Sequence, residues 1–81
     1  MSNREVFTSE LEKVLAVYFK TPHYAHAMRM TTPPELARRT TEGLITGTAS
    51  KDGPAVKSTC KRLGIRPTYA AIKAYLLEEE K

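Results

Sequence analysis

The sequence predicts an all-α protein: a compact bundle of four to five short helices that ends in a helical hairpin. Three observations carry this prediction. Apolar residues recur at steps of three and four along most of the chain, the period of a helix buried on one side. Proline and glycine stand where such stretches begin and end, as at Pro33, Gly47, Pro54 and Gly64. No alternating apolar and polar run exceeds a few residues, and the strand-like run from Gly43 to Ala49 is short.

The first helix is expected from about Asn3 to Lys20. Ser2 with Glu5, and Ser9 with Glu12, both have the spacing of a capping box, so two starts are open. Phe7, Leu11, Val14, Leu15, Tyr18 and Phe19 form one apolar stripe, read as core or as a dimer seam. Thr21-Pro22 ends this helix, because proline disfavours helical backbone in the residue before it. The same pair could cap a short second helix carrying Tyr24, Ala27 and Met28 on one side. His23 and His26 are three apart, but no Cys, Asp or Glu lies near enough in sequence to complete a metal site.

Thr32, Pro33 and Glu35 announce the next helix. Thr32 is the expected cap, Pro33 occupies the first position and Glu35 returns the capping-box bond. This helix should run from Pro33 to about Thr46 and bury Leu36, Ala37, Leu44 and Ile45. Gly43 weakens it, and Gly47 offers a left-handed stop. Arg38 and Arg39 form an exposed pair, usually a solvated one, that could touch phosphate. The glycines 43, 47 and 53 are too irregularly spaced for a phosphate-binding loop.

After a polar loop from Thr48 to Gly53, a helix is expected from Pro54 to about Leu63, with Asp52 or Gly53 as cap. Val56, Cys60 and Leu63 share its buried face; Lys57, Lys61 and Arg62 lie opposite or at its edge. Gly64 stops it. The last helix begins near Arg66-Pro67-Thr68 and ends near residue 77, with Tyr69, Ile72, Tyr75 and Leu76 as its buried stripe. Glu78 to Glu80 follow at a helix C-terminus, where the dipole disfavours acids, so the last turn should fray.

Size and charge narrow the function classes. The 81 residues are read as a single domain. At that length only about 60% of the unfolded surface is buried, so a homodimer would add stability. There is no Trp, and six aromatics (Phe7, Tyr18, Phe19, Tyr24, Tyr69, Tyr75) must supply much of the bulk of the core. No run approaches the ~20 apolar residues that cross a bilayer, and no signal-peptide stretch is seen at the N-terminus. With one cysteine there is no internal disulfide and no cysteine-based metal site. A cytoplasmic protein without membrane contact and without a cofactor is expected. An enzyme is not expected: two histidines, a buried cysteine and scattered surface glutamates do not make an acid–base or nucleophile pair.

The net charge of +4 is unevenly spread. From Lys51 to Tyr75 there are six cations (Lys51, Lys57, Lys61, Arg62, Arg66, Lys73) and one acid, Asp52; residues 1–50 hold six Lys or Arg and five Glu. Such clustering is the electrostatic footprint of a polyanion binder, and equally the pattern of a solvated helix face.

Residues Ala55 to Leu76 resemble a helix-turn-helix, at the level of the motif and of no particular family. Cys60 is a small residue four before Gly64, and Leu63-Gly64-Ile65 has the apolar-Gly-apolar form of the turn. The resemblance covers about a quarter of the chain, and the helix from Pro33 would complete a three-helix unit. One departure stands out. The first buried position after the usual turn falls on Ala70 and the next on Lys73, whereas the apolar stripe here starts at Tyr69 and Ile72. The stripe fits only if the turn is two residues longer, which Pro67 would explain.

The resemblance implies a DNA-binding, regulatory protein, RNA being the lesser option. Arg66, Thr68, Lys73 and Ala71 would lie near the start and outer face of the recognition helix, Arg66 being suited to guanine. Lys57, Lys61 and Arg62 would hold phosphates. The competing reading is a small protein-interaction module of the kind phages and mobile elements use to dock on a host protein, its basic face meeting an acidic protein surface.

Overall fold

The structure is a computed structural model that describes residues 2–78, the side chain of His23 excepted. The chain is an all-α bundle with five α-helices among the described residues: α1 Asn3–Tyr18, α2 Ala25–Met30, α3 Pro33–Thr46, α4 Pro54–Leu63 and α5 Tyr69–Leu77. A single 3₁₀ turn, Pro22–Tyr24, precedes α2.

The long first helix is the hub. It packs on α3, α4 and α5, and α3 also packs on α5. The consecutive helices α4 and α5 barely touch each other: α4 rests on α1, and α5 rests on α1 and α3 to a similar extent. Phe7, Leu11, Val14, Leu15 and Phe19 of the α1 stripe are buried, together with Ala37, Leu44, Val56, Cys60, Ile72 and Leu76 from the other helices. Fully burying one such side chain is worth about 1.5–3 kcal/mol, so this stripe is what holds the bundle closed.

Local signals decide the boundaries. Ser2 accepts from the Glu5 amide while Glu5 bonds back to the Ser2 backbone, a complete capping box, and α1 therefore starts at Asn3 and not near Glu10. It stops at Tyr18, two residues short of the expected Lys20. The Thr21 hydroxyl donates to the Tyr18 carbonyl at 2.6 Å, which closes the end of the helix early. The box expected at Thr32 and Glu35 does not form, because the Glu35 carboxylate is engaged by Arg38 and Arg39. Leu36 and Ile45, expected in the core, are half-buried, while Ala37 and Leu44 are fully buried.

Two buried threonines complete the interior. Thr41 donates to the Ala37 carbonyl at 2.9 Å and accepts from Thr8 of α1. Thr59 donates to the Ala55 carbonyl at 2.8 Å. Back-bonding to the preceding turn satisfies the hydroxyl and lets a polar residue sit where a valine would fit. Gly43 is buried for a steric reason: a Cβ there would meet the Ala49 Cβ at 2.7 Å.

The acidic tail 79–81 lies outside the described residues. Around α2, Tyr24 and Ala27 are half-buried, but Met28 is exposed, as is His26. No group of three or more His, Cys, Asp or Glu capable of holding a metal forms among the described residues. No described helix is long and apolar enough to cross a membrane.

Candidate nucleic-acid interface

The α4–α5 hairpin turns on Gly64, which takes the left-handed conformation at φ +70°. The Ile65 amide donates to the Cys60 carbonyl at 2.8 Å and the Gly64 amide to the Lys61 carbonyl at 3.4 Å, the paired bonds of a Schellman ending. Residues 64–68 link the two helices, and that link is longer than the usual 3–4-residue turn of the motif. Pro67 precedes α5 instead of opening it. Thr68 is the cap, its hydroxyl accepting from the Ala71 amide at 3.2 Å.

α4 has two faces. Ala55, Val56, Thr59 and Cys60 are buried against α1. Burial pushes the Cys60 thiol above its ordinary range, so it behaves as a small core residue and not as a nucleophile. Lys57 and Lys61 are one turn apart on the outward side and exposed. Arg62 lies at the edge facing α1. Its Nε donates to Glu10 at 2.9 Å, and this bond is the main reason the Glu10 carboxyl is held below the usual range. Lys61 and Arg62 also occupy the last turn of α4, where cations complement the helix dipole.

α5 is organised differently. Ile72 and Leu76 are buried and Tyr75 is half-buried. Tyr69, expected in the core, is 43% exposed. Its hydroxyl donates to the Ala49 carbonyl and accepts from the Lys51 amide, both at 3.3 Å, and the Lys51 ammonium sits 5.7 Å from the ring centroid. Tyr69 therefore clasps the loop before α4 to the start of α5. Nothing in the apolar spacing distinguishes that role from a core position. The outer surface of α5 carries Ala70, Ala74 and Leu77 beside the single cation Lys73.

The cations of the chain sort by their partners. In the first half Arg4 meets Glu42 at 2.6 Å, Lys13 meets Glu10, and Arg38 and Arg39 share Glu35; Lys20 and Arg29 have no carboxylate partner among the described residues. In the second half Lys51 meets Asp52 at 2.8 Å and Arg62 meets Glu10. Lys57, Lys61, Arg66 and Lys73 are exposed and make no salt bridge among the described residues, although Lys57, after Lys51, helps to hold the Asp52 carboxyl below its usual range. Of the six residues marked from the sequence, four are thus unpaired cations, Arg62 is tied to α1, and Thr68 serves as a helix cap. The Arg38–Arg39 pair is neutralised in part by Glu35, whose carboxyl these arginines hold below its usual range, Arg38 most of all.

No family model matches this chain, and neither a curated protein nor a solved structure matches it.

Proposed function

We propose that the α4–α5 hairpin binds nucleic acid, DNA or RNA, chiefly by its phosphate backbone and with little reading of base sequence. The observation that carries this reading is the set of four exposed cations, Lys57, Lys61, Arg66 and Lys73, that the fold leaves without salt-bridge partners among the described residues. Most cations of the first half are instead used within the molecule. Phosphate contacts position a protein, whereas sequence is read by polar side chains reaching base edges. The outer surface of α5, with Ala70, Ala74 and Leu77, supplies few such side chains. Arg66, ahead of the Thr68 cap, is the best placed for a guanine contact. A second copy on a two-fold site would be needed for useful selectivity.

The reading makes a salt-dependence claim. Each phosphate neutralised on duplex DNA contributes about −0.9 to the slope of log K against log salt. Four contacts give a slope of about −3 to −4. Fluorescence anisotropy of a labelled duplex across a salt series measures this directly. The Lys57→Glu, Lys61→Glu double variant is expected to lose binding, while Arg4→Glu, on a paired cation of α1, is expected to keep it. Absence of salt-dependent binding by the wild type, or unchanged binding by the double variant, overturns the reading.

A further inference from the structure

A groove of ≈ 440 Å³ runs between α1 and α4. Val14, Val17 and Tyr18 of α1 form its floor, and Lys13, Lys61 and Arg62 stand around it. Ser58 lines the groove from the α4 side. Its short side chain faces Tyr18, and the two hydroxyls bond at 2.7 Å. Val17 is left 62% exposed on the helix that supplies the largest share of the core.

We infer that this groove docks a short acidic segment of a partner protein, anchored by one aliphatic side chain over Val17. The inference does not rest on the nucleic-acid reading. Two features select the occupant. The first is charge: three cations stand around an apolar floor, and among the described residues Glu10 is the one carboxylate paired with any of them, bonded to Arg62 at 2.9 Å and lying 3.4 Å from Lys13. Lys61 has no carboxylate partner among the described residues, so the rim keeps a positive excess that carboxylates would complement. The second is the floor. Val14 and Val17 make most of the floor aliphatic, which suits a leucine-like side chain; a nucleobase would need the Tyr18 ring to stack on, and the duplex control tests that alternative. The groove spans residues 13–18 of α1, about 8 Å at 1.5 Å per residue, which is room for one anchor and not for an extended helix.

Lys61 belongs both to this rim and to the outward face of the hairpin, so Val17 and Lys57 are the positions that separate the two surfaces. The probe is a blocked synthetic peptide, Asp-Glu-Leu-Glu-Asp, followed by amide NMR shifts of the full chain. Its controls are the same peptide with Ser in place of Leu, the same peptide with Lys in place of the acids, and a short DNA duplex. The acidic leucine peptide is expected to shift Val14, Val17, Tyr18 and Ser58, and to bind about fivefold tighter than the Ser control. Val17→Asp and Lys61→Glu should each abolish those shifts, and Lys57→Glu should leave them in place while weakening DNA. Val17 is largely exposed, so Val17→Asp keeps the fold, which its circular dichroism checks. Equal binding of the Ser and Leu peptides, unaltered binding by Val17→Asp, no binding at all, or the same Val17 shifts with the duplex would overturn the inference.

Discussion

α4 and α5 are neighbours in sequence and both close on α1, yet they are built on different plans. α4 buries four residues on one side and carries Lys57 and Lys61 on the other. α5 buries only Ile72 and Leu76 and exposes Ala70, Ala74 and Leu77. In a helix-turn-helix the second helix carries the readers. Here the more polar outer face belongs to the first helix of the pair. If the hairpin binds nucleic acid as proposed, the phosphate contacts would come mainly from α4, since α5 has little with which to interrogate bases. The difference also bears on stability, because α5 depends on two anchors where α4 has a continuous face.

The largest expected effect tests that dependence. Ile72 is completely buried, and Ile72→Ala is expected to cost about 2–5 kcal/mol. Val56→Ala, on the 4%-exposed Val56 of α4, should cost less, about 2 kcal/mol by the methyl groups removed. Amide hydrogen exchange of the Ile72→Ala variant should speed up across 69–77 before it does across 54–63. Simultaneous loss of protection in both helices would show that the hairpin is one cooperative unit, and the contrast between the two plans would fall.

Next come the two glycines whose replacement strains the chain for opposite reasons. Gly64→Ala meets no atom within 4 Å but must adopt φ +70°, which costs about 1–2 kcal/mol. Gly43→Ala keeps ordinary helical backbone and gains about 1 kcal/mol of propensity. It also places a Cβ 2.7 Å from that of Ala49, an overpacking worth about 1–3 kcal/mol. Adding Ala49→Gly should recover part of the melting temperature of Gly43→Ala, since the Ala49 nitrogen and Thr48 Oγ1 stay 3.1 Å from the new Cβ, and leave that of Gly64→Ala where it was. Rescue of both, or of neither, would mean that the two positions do not differ as the geometry says.

Thr68 separates a structural role from a binding one. Thr68→Ala should lower stability by about 1 kcal/mol through loss of the cap on α5, and Thr68→Asn should keep it. If Thr68→Ala melts like the wild type but binds DNA less well, Thr68 is a contact and not a cap.

The fold was legible because helix periodicity and boundary residues agree. Ser2 with Glu5, Gly47 and Gly64 each mark a real helix end, and the α1 stripe from Phe7 to Phe19 is the core, with Tyr18 half-buried at its edge. The errors have a common cause, which is competition among nearby partners. Glu35 had two arginines one turn away and did not return to the Thr32 backbone. Tyr69 has the spacing of a core residue, but its hydroxyl finds the Ala49 carbonyl and the Lys51 amide in the adjacent loop. The candidate site was legible only as a charge count. That Arg62 would be taken by Glu10, fifty-two positions earlier, depends on α4 running antiparallel to α1, which no local pattern encodes. The same packing creates the groove beside Val17, which the sequence shows only as one more apolar residue.

The smallest effect sharpens the comparison furthest, because it sets Lys61 against its neighbour Arg62. Arg62, with Lys13, holds the Glu10 carboxyl below its ordinary value of 4.5. A carboxyl whose pKa is lowered in the folded state adds stability that is fully present above that ordinary value. The contribution disappears as the pH falls through the lowered folded value, when Glu10 takes up its proton. The melting-temperature difference between the wild type and Glu10→Gln should therefore be steady at neutral pH and shrink in acid, and salt should diminish it, since the pair is solvent-facing. Glu10→Gln also releases Arg62. If the hairpin binds phosphate, this variant should bind duplex DNA more tightly than the wild type, with a salt slope steeper by about 0.9. Arg62→Ala should then change wild-type affinity less than Lys61→Ala, because only Lys61 is unpaired beforehand. A Glu10→Gln slope equal to that of the wild type would take Arg62 out of the proposed interface and leave Lys57, Lys61, Arg66 and Lys73 as its cations.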